Sequence, residues 1–274
     1  MTAKIQDDEA EPAGAFSRLL RHWRSARRLS QLGLAAEASI SARHLCFLET
    51  GRARPSREMV RLLGTALDLP LAEQNALHVA AGFVPPHGER GLAADNLEPV
   101  QQALDFILRQ QEPYPAIVVD GRWDIRIRNQ GSARVFRLFH QAYDMPTALA
   151  GNAVHVVFHP KGLRPFIANW AAFAGHMIQI LHREVAQGHR PAAELLEEIG
   201  AYPDLPAGWR RPAPPAAAAP VMTMQLRKGE RRFAFFSTFT TLAMPTDAAL
   251  QKLKIESFFP ADSATEETIR NLPA

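Results

Sequence analysis

The stretch QLGLAAEASISARHLCFL, residues 31–48, constrains the fold more than any other part of the chain. Read as a helix from Gln31, it turns Leu34, Ala35 and Ala38 to one side and breaks at Ser39. It resumes as a second helix with Ser41 as cap and Leu45 and Leu48 facing inward. Ile40 is buried beyond the break. Two short helices crossing this closely need a small residue at their contact, and Ala35 supplies it. The turn between them needs φ > 0, where glycine is usual. Ser39 stands there instead, at some local cost. The spacing is that of a helix-turn-helix.

The flanks extend the pattern. Phe16, Leu19, Leu20 and Trp23 precede it, and Met59, Val60, Leu62, Leu63 and Leu67 follow at helical intervals, so residues 14–83 read as an all-α domain with no strand. A second helix of this kind enters the major groove by its N-terminal residues. Those are Ala42, Arg43 and His44, with Phe47 one turn on. Arg43 suits a bidentate pair with guanine, while Ala42 and Phe47 suit a thymine methyl. Gln31, Ser41, Arg52 and Arg54 are spaced to grip phosphate. The chain carries a net charge of only +3, yet residues 16–66 hold ten arginines against three glutamates. An ordinary helical bundle explains any one of these positions; the spacing and the charge excess together favour double-stranded DNA. Cys46, on the same helix, reads as a small packing residue.

Beyond this domain the character changes. At about 150 residues per domain, 274 residues suggest two domains. Residues 1–13 read as a disordered leader and residues 84–96, with VPPHGER, as a linker. A helix is expected over 97–110. The run 116–119 and the alternating WDIRIR of 123–128 read as strands joined by a turn at Gly121 and Arg122. The alternation sets Trp123, Ile125 and Ile127 on one face. Asn129 caps the next helix, and residues 163–185 and 191–201 read as further helices. Residues 203–220 form a Pro/Ala-rich loop. Strands follow on either side of Lys228-Gly229, and a last one over 250–259 has Leu253 and Ile255 opposite Lys252 and Lys254. The expectation is an α+β domain with an antiparallel sheet over 97–262 and a tail over 263–274.

Other classes are excluded by what the chain lacks. One cysteine leaves no disulfide framework and no cysteine zinc site. The polar start MTAKIQDDEAEP is no signal peptide, and no apolar run approaches 18 residues, so a cytoplasmic protein without membrane contact is expected. The chain has no G-x-S-x-G, phosphate loop, H-E-x-x-H or dinucleotide fingerprint, which argues against an enzyme. His155 and His159 have i,i+4 spacing, but no neighbouring carboxylate or cysteine completes a metal site, and no metal or obligatory cofactor is expected. Glu197 and Glu198 read as a solvated helix face.

The second domain has a surplus of large apolar groups. Val118, Trp123, Ile125, Ile127, Phe136, Phe166, Trp170, Phe173, Met222, Met224 and Phe236 are candidates to face inward, as core or as the lining of a cavity for an apolar molecule. Phe233, Phe235 and Phe239 alternate with Phe236, so the inner face of that strand stays open. Arg164 could meet a carboxylate at the mouth of such a cavity, beside Asn169. A helix-start ion pair and an amide satisfying backbone are the plainer roles for these two.

The segment 28–83, with LETGRARPS and LPLAEQNALHVAAGF, resembles the DNA-binding domain of the Cro/C1-type (XRE) repressors, and its last part is similar to MmyB-like transcription regulators. PAIVVDGRWDIRIRN, FHPKGLRPFIANW, FFSTFTTLAMPTD and IESFFPAD resemble the ligand-binding domain of the same family. The resemblance spans about residues 15–260 and implies a PAS-like sensor, a homodimer and a fatty-acid-like ligand. The alternatives are a second domain that only dimerises, a haem or flavin sensor and, more distantly, an antitoxin.

Overall fold

The computed structural model describes residues 12–88, 98–140, 145–212, 221–243 and 247–273. Most of the expected leader and linker and residues 213–220 of the Pro/Ala-rich loop lie outside the described residues. The chain divides into two units, Met1–Gly91 with Met244–Gln251, and Leu92–Ala243 with Lys252–Ala274.

Three serines punctuate the first unit. It contains α1 (Pro12–Ala26), α2 (Gln31–Glu37), α3 (Ala42–Glu49), α4 (Arg57–Ala66) and α5 (Leu71–Ala80). Ser30, Ser41 and Ser56 each precede a helix and accept the amide three residues on, from Gly33, His44 and Met59. Each satisfies one of the amides that a helix start leaves without a partner. Between α2 and α3, Ser39 adopts φ 55°, the left-handed conformation the turn requires. A side chain there costs about 1 kcal/mol relative to glycine. Phe16, Leu20, Trp23, Leu34, Leu45, Leu48, Leu63 and Leu77 form the core, each burial stabilising by roughly 1.5–3 kcal/mol. Leu32 is not part of it: at 71% exposure it lies on the outer face of α2.

The second unit is an α+β domain with one antiparallel sheet. Its elements are α6 (Glu98–Gln110), β1 (Ala116–Val119), β2 (Ile125–Arg128), α7 (Gln130–His140), α8 (Thr147–Ala150), α9 (Ala153–Phe158), α10 (Trp170–Ala186), α11 (Arg190–Ile199), β3 (Thr223–Lys228) and β4 (Arg231–Thr240). After β4, α12 (Ala248–Gln251) groups with the first unit, where Gln251 Oε1 accepts the Leu71 amide at 2.7 Å. The chain then returns as β5 (Lys254–Pro260) and α13 (Ser263–Arg270). The strand order is β2-β1-β5-β4-β3, every pair antiparallel.

Four expectations are corrected. Trp123 is not in a strand: it sits in the β1–β2 turn at φ 63° and is fully buried. The pairing of β1 with β2 then slips by one residue, Val118 opposite Ile127 but Val119 opposite Ile125. This bulge puts Ile125 and Ile127 on opposite faces, because Val118 and Val119 are adjacent on β1. The single helix expected over 163–185 is interrupted. Pro165 lies in a 3-10 turn, Arg164–Phe166, Ile167 bridges to Leu226 of β3, and α10 begins only at Trp170. Finally, residues 263–270 are a helix rather than a tail: Asp262 caps α13, and Ile269 is buried against the sheet's core.

Candidate functional site

At the end of α3, one carboxylate organises the surface of the first unit. Glu49 is buried, its side chain 2% exposed, and accepts from Arg24 at 2.5 and 3.1 Å and from Gln31 at 2.7 Å. Burial pushes this carboxyl up; the Arg24 and Gln31 hydrogen bonds and the Arg24 and Arg21 charges outweigh burial and hold it below the usual range. The Gln31 amide is thereby fixed at the start of α2. Ser41 holds the first turn of α3, whose outer side carries Arg43, its guanidinium 5.4 Å from the Phe47 ring centre. Ala42, His44 and Phe47 are half-buried, and Arg52 and Arg54 are exposed just beyond α3.

The arginines divide into two sets. Arg21 and Arg27 donate to backbone carbonyls, as Arg57 does, while Arg24 pairs with Glu49 and Arg61 with Glu58. Arg18, Arg28, Arg43, Arg52 and Arg54 are exposed and take no carboxylate or carbonyl partner among the described residues. The charge excess read from the sequence therefore resolves into five available cations, three of them on or just after α3.

In the second unit, an apolar cavity of about 60 Å³ lies between the sheet and its helices. Its wall includes Ile117 of β1, Ile125 of β2, Val135, Phe136 and Phe139 of α7, Val156 of α9, Phe173 and Met177 of α10, Met224 and Leu226 of β3, Phe235 of β4, and Phe258 of β5. Trp123 closes one part of it. The Trp123 indole N–H donates to Glu184 at 3.0 Å, and Lys254 lies 4.4 Å from the ring centre. Among the described residues of the wall, Glu256 is the one with an ionisable side chain. Burial pushes its carboxyl up to about 7, against a Ser237 hydrogen bond and the Lys254 charge, which act the other way.

Of the residues singled out from sequence, Trp123, Ile125, Phe136, Phe173 and Met224 line this cavity, and Ile127, Arg164, Phe166, Asn169, Trp170 and Phe236 do not. The bulge turns Ile127 away. Phe236 stacks on Phe259 at 5.3 Å, while Phe235 faces in. Asn169 is used by backbone, donating to the Thr223 carbonyl at 2.7 Å and accepting the Gln225 amide at 3.0 Å. Arg164 pairs with Asp204 at 3.2 Å and lies 4.3 Å from the Trp170 ring centre, whose N–H donates to the Asp204 carbonyl. Phe166 packs on Phe139 from outside the cavity wall. The sequence reading missed Phe139, Val135 and Glu256. Val135 and Phe139 have i,i+4 spacing on α7, and Glu256 stands two residues from Phe258, on the same face of its strand, the one available signal for each.

His155 joins α9 to α11. Its Nδ1 is 2.8 Å from the Tyr202 hydroxyl and its Nε2 2.9 Å from Glu198, so Glu198 is a partner and not only a solvated charge. No group of three histidine, cysteine, aspartate or glutamate side chains among the described residues could hold a metal ion.

Comparison with known proteins bears on both units. A helix-turn-helix domain model matches residues 15–77, and the model of the MmyB-like transcription regulator ligand binding domain matches residues 100–272. The pairing defines a ligand-responsive DNA-binding transcription regulator, built from regulatory rather than enzymatic domains. The second match covers more than half of the chain, and the chain belongs to the MmyB-like transcription regulators. No curated relative matches the chain. Among solved structures, an RNA-binding Light-Oxygen-Voltage receptor is similar at 10% identity and a TM-score of 0.29, over 99% of this chain and 67% of that one. No helix among the described residues is long and apolar enough to cross a membrane.

Proposed function

We propose that this chain is a one-component regulator that binds double-stranded operator DNA as one half of a homodimer and responds to a small apolar molecule of the fatty-acid class. The observation that carries the ligand reading is the apolar cavity between sheet and helices, whose described wall carries a single ionisable side chain. Apolar pockets with few polar groups are the usual seats of such ligands. The wall offers no histidine or cysteine to a haem iron.

The size of the cavity gives the mechanism. At about 60 Å³ it is less than half the ~150 Å³ that an engineered cavity uses to hold benzene. An acyl chain therefore enters only a repacked wall, and phenylalanine and methionine side chains are the groups able to make room. A ligand that binds the expanded packing and not the closed one shifts the population towards it. In a dimer whose recognition helices must sit one DNA turn apart, roughly 34 Å, such a shift changes operator affinity.

On the DNA side, Ala42, Arg43, His44 and Phe47 face base edges and Gln31, Ser41, Arg52 and Arg54 face phosphate. Arg43→Ala is expected to weaken operator binding by about 1–3 kcal/mol and to leave binding to random duplex nearly intact. A gel-shift titration against both duplexes measures this. Equal losses would make Arg43 a phosphate contact.

The ligand reading is tested by native mass spectrometry of the protein as purified and after incubation with dodecanoate. Ala153, at the start of α9, also lines the cavity; wild type is expected to carry a bound acid, and Ala153→Phe, which puts a ring on that wall, to lose it while remaining folded. Retention of the ligand by that variant would place it elsewhere.

A further inference from the structure

Beside the apolar cavity lies a second, open cleft of about 470 Å³ between α7 and the β3–β4 hairpin. Among the described residues its polar side chains are Arg137, Lys228, Arg231 and Glu230, three cations to one anion. Arg137 and Arg231 are exposed, and neither has an ion-pair partner among the described residues. The Lys228 ammonium donates to the Leu138 carbonyl, which occupies one of its three N–H groups and leaves two.

Cavity and cleft share a wall. Phe139 is fully buried and lines both. Phe233 lines the cleft and stacks nearly parallel on Phe235, which lines the cavity, with ring centres 6.2 Å apart. One layer of aromatic rings thus separates an apolar space from a space with surplus positive charge. An amphiphile with an anionic head matches that pair of environments in order. Arginine at the lip of a cleft suits a carboxylate, which can accept two parallel N–H bonds. Arg164, the other arginine weighed for this role, is already held by Asp204 and Trp170.

We propose that the cleft formed by Arg137, Lys228 and Arg231 is the head-group site for a long-chain carboxylate, whose tail reaches the apolar cavity past a displaced Phe139 ring. This rests on the reading of the cavity as the seat of the ligand. It also gives Phe139 a role: the ring common to cavity and cleft is the one the tail must move.

The test is calorimetric titration of the full chain with dodecanoate and with 1-dodecanol, which share a tail and differ in head. Wild type is expected to bind both, dodecanoate more tightly. Arg137→Ser with Arg231→Ser, both at exposed positions, is expected to weaken dodecanoate about tenfold or more and to leave dodecanol within about twofold. Lysine at both positions keeps the charge and is expected to retain most of the preference for the acid. If the serine pair binds dodecanoate as wild type does, or loses both probes equally, the head-group assignment is overturned while the cavity stands. If wild type binds neither probe, the cavity itself is not the seat and both readings fall.

Discussion

Replacing Glu49 by alanine is expected to destabilise the DNA-binding unit by about 3 kcal/mol, the cost of breaking a buried ion pair by removing one partner. Glu49 is 2% exposed and Arg24 16%, so alanine leaves a guanidinium that water reaches only in part. It also frees the Gln31 amide at the start of α2. Thermal unfolding should register both losses together, because Arg24 lies on α1, Gln31 on α2 and Glu49 on α3. The double replacement Arg24→Met with Glu49→Leu should recover much of the stability, since it removes both charges at once. Additive losses in that cycle would mean that the pair is not the source. The pH dependence has a definite sign. The folded carboxyl ionises below its ordinary value, so its contribution is present above the unfolded pKa, near 4.5, and is lost as the pH falls through the folded one. Wild type should lose stability to acid across that window, and the Met/Leu pair should lose less.

How far the sequence could be read differs between the units for a physical reason. The first unit is built from local rules. A serine cap, an inward leucine and a turn at φ > 0 are each decided within a few residues, so the helix-turn-helix and the cost at Ser39 are legible in the chain. Glu49 is not, because its partner stands 25 residues away and nothing in LETGR separates a buried glutamate from a solvated one. The sheet depends on pairing, and pairing hid its main features. Period-two alternation puts Trp123, Ile125 and Ile127 together, and one bulge undoes it. Phe235 and Phe236 exchange roles if β4 slips by one residue, and only its register with β3 and β5 decides which faces the cavity. Pro165 was a usable signal: a proline two residues after Leu163 marks a helix start or break, and the helix starts later.

A second buried carboxylate carries the opposite sign. Glu256 lies in the middle of the sheet, opposite Ile117 of β1 and Phe239 of β4, with its side chain in the apolar wall. Lys254, on the same strand, is engaged by Glu184 and the Trp123 ring and does not form an ion pair with Glu256. A carboxyl that ionises near 4.5 when unfolded and at about 7 in the fold costs about 3 kcal/mol once the pH exceeds both values. Stability is therefore full below the unfolded pKa and is lost as the pH rises to the folded one. Glu256→Gln keeps the shape and removes the charge, so urea unfolding at pH 8 should find the variant more stable by about that amount, with little difference at pH 4.5. Parallel pH profiles for the two proteins would show that Glu256 is solvated or paired after all. The same charge acts on binding. An uncharged apolar ligand that fills the cavity excludes water from the carboxyl and favours its neutral form, so 1-dodecanol should bind wild type more tightly below pH 7 than above it. In Glu256→Gln that dependence should disappear, which ties the titrating group to the cavity and not to the fold at large.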